Sequence, residues 1–248
     1  EGLDYEADAD VQLEMMLELI RLVKRATRWV LRNRRRDVSP TAVIEEFGIG
    51  AGRLRACVRD LFRGRVAEQF NDRCAHYLEA GIEEAMAIRV AQCALAHTHL
   101  AVIDVATSCD CDLEDAARLY YHLGERLELD WFGAQIAGST VENEWQAMAR
   151  ETYMEDLQWQ QCTLAQGVIG LRRKLMLENA EVDAAADDGD AADIVSYLKI
   201  WEEQEAPLLQ RWRDMLSELH AATVPDFAMF AVANRELLDL AQSTRRSA

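Results

Sequence analysis

The sequence predicts an all-α fold, an irregular multi-helix bundle of about ten helices. Three observations carry that expectation. Gly and Pro number only 12 and 3 in 248 residues, well under the roughly 7% and 5% of ordinary chains, so turns are few. Apolar residues recur at helical spacing along most of the chain. Alternating β-branched runs of the roughly 4–8 residues that mark a strand are missing.

The first helix is read from about Asp10 to Asn33. Its polar stripe is Glu14, Glu18, Arg21, Arg25, Arg28 and Arg32, and nearly everything else is apolar or small. A stripe that narrow predicts a helix buried on most sides. Ser39-Pro40 reads as N-cap and first residue of a short helix that stops at Gly48. A third runs from about Ala51 to Arg63, followed by Val66–Ala80, Ile82–Ala94 and His99–Thr107. Asp112 caps the next, with Glu114 and Asp115 at the positive end of its dipole. That helix is expected to end near Gly124 or a little beyond, and a short one covers Asp130–Ala137. Ser139-Thr140-Val141-Glu142 has capping-box spacing and should start one long helix near 140–178. At the helical rise such a run reaches roughly 58 Å. Its apolar row is Ala149, Tyr153, Leu157, Leu164, Val168, Leu171 and Leu175.

Residues 179–191 are Ala-rich and acidic and read as a flexible loop. Helices at Ala192–Glu203, Pro207–Ala221 and Pro225–Ser243 close the chain. The expected organisation is a main helical domain over 1–178, then the loop, then helices of 192–248 packing on the same domain. No repeat at a fixed period is evident, which weighs against a solenoid.

Lys and Arg number 27 and Asp and Glu 44, a net charge of −17. Half of the residues are hydrophobic, which excludes a disordered acidic tail. The sign of the charge argues against general nucleic-acid binding. Charge is unevenly spread. Residues 1–20 hold seven acids and no base, Arg21–Arg73 is net +8, and the remainder is net −18. The basic segment 21–73, with Arg32, Arg34, Arg35 and Arg36, reads either as solvated helix faces or as a surface docked on an acidic partner. No stretch of about 18 uncharged apolar residues exists, so no membrane span is expected. The first residue is Glu1, without a cationic and apolar leader, and the start reads as a cut inside a larger protein. Cys57, Cys74, Cys93, Cys109, Cys111 and Cys162 read as free thiols.

The chemistry-bearing motifs are weak. Gly48-Ile49-Gly50-Ala51-Gly52 has Arg53 where a dinucleotide fingerprint needs its third Gly, and a helix precedes it rather than a strand. Asp187-Asp188-Gly189-Asp190 resembles a calcium loop, but Ala184, Ala186 and Val195 stand where oxygen ligands are required. Cys93, His97, His99, Cys109 and Cys111 are the best metal candidates, at spacings that do not match common zinc sites. No Glu-x-x-His, His-Glu-x-x-His or Gly-x-Ser-x-Gly occurs. No catalytic, cofactor-binding or metal residue is therefore assigned. Leu100–Leu127 resembles a helix-turn-helix, but Asp112, Glu114 and Asp115 open its second helix and would meet phosphates with the wrong charge. Trp29, Trp131, Trp145 and Trp212 are candidate core or interdomain anchors.

Several stretches resemble one family. Thr27-Arg28-Trp29-Val30-Leu31-Arg32-Asn33-Arg34 is similar to a "TRWLLRN" stretch of the large-subunit bacterial NAD-specific glutamate dehydrogenases. So are Asp104-Val105-Ala106 and the run from Tyr120 to Trp131. Trp145-Gln146-Ala147-Met148-Ala149-Arg150 resembles that family's "WQALAR". Leu209, Arg211-Trp212 and Ala233-Asn234-Arg235-Glu236-Leu237 fit its closing helices. The resemblance covers only the C-terminal helical region of such enzymes. It implies a parent that deaminates L-glutamate oxidatively to 2-oxoglutarate and ammonia with NAD as hydride acceptor. Catalytic Lys and Asp and the dinucleotide fold would lie upstream, so this segment would be non-catalytic, bind no cofactor, and serve structure, assembly or regulation. A cytoplasmic homo-oligomer, with the upstream catalytic domain as partner and neither nucleic acid nor membrane, is the implied setting. A helix-turn-helix DNA-binding regulator and a stand-alone helical adaptor are the alternatives.

Overall fold

A computed structural model describes residues 9–32, 45, 64–94, 96–182 and 194–248. Among the described residues the fold is all-helical. Ten helices run in order: α1 (Ala9–Arg32), α2 (Gly64–Glu79), α3 (Glu84–Ala94), α4 (Ala96–Cys109), α5 (Leu113–Arg126), α6 (Leu129–Gly138), α7 (Glu144–Val182), α8 (Ile194–Gln204), α9 (Ala206–Ala221) and α10 (Phe227–Ser247). The expected helices Ser39–Gly48 and Ala51–Arg63 lie outside the described residues, save Glu45, as does most of the acidic loop. The chain divides into two compact units, Glu1–Asp104 and Val105–Ala248, with the boundary inside α4.

In the first unit Val11 and Met15 of α1 meet Tyr77, Ile82, Ala87 and Val90 in one buried cluster. Beside it Glu14 takes the Tyr77 hydroxyl at 3.4 Å and lies 3.1 Å from His76 Nε2. The end of α2 has a local cause. Gly81 sits at φ +82°, where L side chains are strained. That turn lets the Ile82 N–H reach back to the Tyr77 carbonyl, and the two side chains are buried together. The expectation that α1 is buried on most sides does not hold among its described side chains. Leu13, Met16, Leu17, Leu19, Ile20 and Val23 are exposed, Leu13 by 55% and Val23 by 64%. Periodicity identified an apolar face correctly, but nothing in this unit's described residues covers it.

The second unit is built on α7, 39 residues long. Its most extensive partner is α10, and it also touches α5, α6 and α8. All of the expected apolar row from Leu157 to Leu171 is buried, and its ends are half-buried. The helix begins four residues later than the Ser139–Glu142 pattern predicts. Asn143 is the cap, accepting from the Gln146 N–H at 3.0 Å, while the Gln146 side-chain oxygen takes the Glu142 N–H at 2.7 Å. Asn143 and Gln146 thus make a variant of the capping box, in which the Gln146 side chain reaches the residue before the cap. Ser139 instead closes α6, its hydroxyl donating to the Ile136 carbonyl.

Two glycines set close approaches to α7. Gly167 faces Thr244 of α10, and a Cβ there would lie 2.6 Å from the Thr244 methyl and 3.1 Å from its backbone. Helix α5 ends at Arg126, a little beyond Gly124, as expected. Gly124 makes room for Gln161 of α7, whose amide donates to the Tyr120 carbonyl at 2.9 Å. The buried aromatic centre is Phe132, Trp212 and Phe230, meeting edge to face.

Candidate functional site

The Gly48–Gly52 run and the Asp187–Asp190 loop lie outside the described residues, as do the side chains of Cys93 and His97. His99 is buried on α4. Cys109 and Cys111 flank the α4–α5 turn, where Asp110 takes a positive φ of 47° and the Cys111 N–H returns to the Ala106 carbonyl. Arg173 of α7 donates to the carbonyls of Cys109 and Asp110, satisfying the open end of α4. Burial pushes both thiols up, Cys111 to about 11, with Cys109 adding to that rise and Arg173 offsetting part of it. Thiols held neutral are poor metal ligands and poor nucleophiles. No group of three or more His, Cys, Asp or Glu suited to a metal occurs among the described residues.

Helix α5, the second of the expected helix-turn-helix, packs against α7 within its own unit. Asp112 caps α5 by accepting from the Glu114 N–H at 2.8 Å. Leu113, Ala116, Ala117, Leu119, Tyr120, Tyr121 and Leu123 are buried. The outward start of the helix presents Glu114, and Asp115 lies 3.8 Å from both Arg118 and Arg172. This surface has the sign of phosphate itself.

The tryptophans separate into two kinds. Trp212 is fully buried and its indole N–H donates to the Leu127 carbonyl at 3.1 Å. Trp131 is half-buried and stacks on His220 with ring centroids 3.7 Å apart, while His220 lies 2.9 Å from Glu128. Trp145, by contrast, is 79% exposed. The side chain of Trp29 lies outside the described residues. Sequence reasoning passed over Trp201 of α8, which is buried and donates to the Thr244 hydroxyl at 2.9 Å. It also passed over Trp159, which is 48% exposed. The signal for Trp159 was its helical register with Trp145.

What remains as functional surface is apolar and helical. One such face is on α1. The other is on α7, where positions 145, 148, 152 and 159 share one side of the helix. No helix among the described residues is long and apolar enough to cross a membrane.

These features define a helical packing domain, with a dense core and large exposed side chains placed at helical spacing. The chain belongs to the family described as "Glutamate dehydrogenase, C-terminal", whose model matches residues 1–239. It is similar to an NAD-specific glutamate dehydrogenase of Pseudomonas aeruginosa, 38% identical over 99% of this chain and 14% of that protein. A protein of the same name from Halomonas elongata is 33% identical over 98% of this chain and 14% of its own length. One from Mycobacterium tuberculosis is 24% identical over 94% and 13%. The chain therefore spans about one seventh of the curated relatives it matches.

Proposed function

We propose that this chain is the non-catalytic C-terminal helical domain of an NAD-specific glutamate dehydrogenase. The observation that carries the reading is the family match over residues 1–239, at 38% identity to one NAD-specific glutamate dehydrogenase. In the whole enzyme a hydride passes from the glutamate α-carbon to NAD, and the imine is hydrolysed to 2-oxoglutarate and ammonia. NAD and the reacting groups belong to the upstream catalytic part. This domain contributes packing and assembly, its C-terminal helices docking on the long helix α7. The setting is the cytoplasm and the enzyme is a homo-oligomer. Its partner is its own upstream domain, and neither nucleic acid nor membrane takes part.

The test is a pair of assays. The isolated chain is expected to give a helical circular dichroism spectrum and no glutamate-dependent NAD reduction. The polypeptide that carries it in full is expected to reduce NAD with glutamate. Turnover by the isolated chain, or none by the full polypeptide, contradicts the reading.

A further inference from the structure

We propose that the outward face of α7 between Trp145 and Trp159 is the seat on which the remaining part of the enzyme polypeptide docks, through a surface apolar at its centre and basic at its rim. The inference rests on the reading above, in which that polypeptide is a glutamate dehydrogenase.

Trp145, Met148 and Trp159 are 79%, 61% and 48% exposed. Thr152 completes the row, at steps of three, four and seven residues along one face. Two tryptophans and a methionine in register on a rigid helix are the residue types enriched at the centres of protein interfaces. Among the described residues of its own unit nothing covers this face, and the other sides of α7 are occupied. Gly133 of α6 approaches Leu157 and Met154. The amide of Gln160 donates to the Asn234 carbonyl of α10, and that of Gln161 reaches Tyr120 of α5.

Charge selects the occupant. Glu144, Glu151 and Glu155 run beside the row at steps of seven and four, and Asp156 lies on its other side. Arg150 is the one base of α7 between Glu144 and Val168, and its guanidinium turns to the Ser139 carbonyl at 3.5 Å. Two copies of this face would set acid against acid, which disfavours a self-paired dimer. A basic-rimmed partner complements it. The relatives are about seven times longer than this chain, so most of the polypeptide that could supply such a surface lies outside these 248 residues.

Site-directed photocrosslinking of the full polypeptide tests this. p-Benzoylphenylalanine is installed in place of Trp145 or of Trp159, the protein is irradiated, and cross-linked peptides are identified by mass spectrometry. Cross-links at both positions to peptides outside these 248 residues, with Lys or Arg close by in sequence, are expected. The yield should fall at least tenfold when Trp145→Glu accompanies the probe at 159. Cross-links confined to these 248 residues overturn the proposal, because they mean a second copy or another part of the same domain occupies the seat. Absence of cross-links overturns it as well. Glutamate-dependent NAD reduction by the unmodified polypeptide is read separately. If that activity is present while the cross-links fail, the docking seat is wrong and the parent reading stands. If the activity is absent, the parent reading fails whatever the cross-links give.

Discussion

Helices α1 and α10 are of similar length and equally apolar on average, yet they meet water differently. On α10, Phe230, Ala233, Leu237, Leu240 and Ala241 are buried against the second unit's core. On α1, Val11 and Met15 are buried while six large apolar side chains are exposed. Apolar residues at helical spacing therefore mark a face that wants covering, not what covers it. In the second unit the cover is α7. In the first it is absent from the described residues, as it is for the outward row on α7 itself.

The sharpest way to break this contrast is to damage the self-sufficient unit. Trp212→Ala removes a fully buried indole, its bond to the Leu127 carbonyl and its edge-to-face contact with Phe132. A loss of about 3–5 kcal/mol is expected, read by urea denaturation. Gly167→Ala should cost about 1–3 kcal/mol by forcing α10 away at Thr244. Gly138→Ala meets nothing within 4 Å and should leave the same urea curve unmoved or slightly stabilised.

A titration gives the next effect. The Cys111 thiol is held at about 11 chiefly by burial, against roughly 8.5 for a free thiol. Across that interval the unfolded chain ionises this group and the folded chain does not. Stability is therefore whole below the interval and declines as pH rises through it. Cys111→Ser should flatten part of the decline in melting temperature between roughly pH 8.5 and 11. An unchanged slope would mean the thiol titrates normally.

The smallest effect belongs to α1. Leu13→Gln, Met16→Gln and Ile20→Gln should each change the stability of the isolated chain by no more than about 0.5 kcal/mol, because these side chains are exposed. A loss of several kcal/mol from any of them would show that the chain covers this face itself and would dissolve the contrast.

Local signals explain how much was legible beforehand. Asp112 was readable as the cap of α5 because its chemistry acts within three residues. The buried row of α7 was readable because period 3.6 needs no knowledge of the partner. The cap at Asn143 was missed because Ser139 offered a competing box four residues earlier. Gly124 was readable as lying near the end of α5, but only Gln161, 37 positions away, explains why that position has no side chain. Of the surface, Trp145 was singled out, but its exposure depends on what α5, α6 and α10 leave uncovered. That is a tertiary fact that sequence spacing does not contain. Trp159 and Trp201 have similar helical surroundings in sequence and opposite exposure for the same reason.

Hydroxyl-radical footprinting tests most directly the claim that this chain is a self-folding part with surfaces meant for the rest of an enzyme. Oxidation of Trp145, Met148, Trp159 and Trp212 is compared between the isolated chain and the full polypeptide. The first three should oxidise readily in the isolated chain and be protected in the full polypeptide, with Trp212 protected in both. Equal oxidation of Trp145, Met148 and Trp159 in the two proteins would contradict the account.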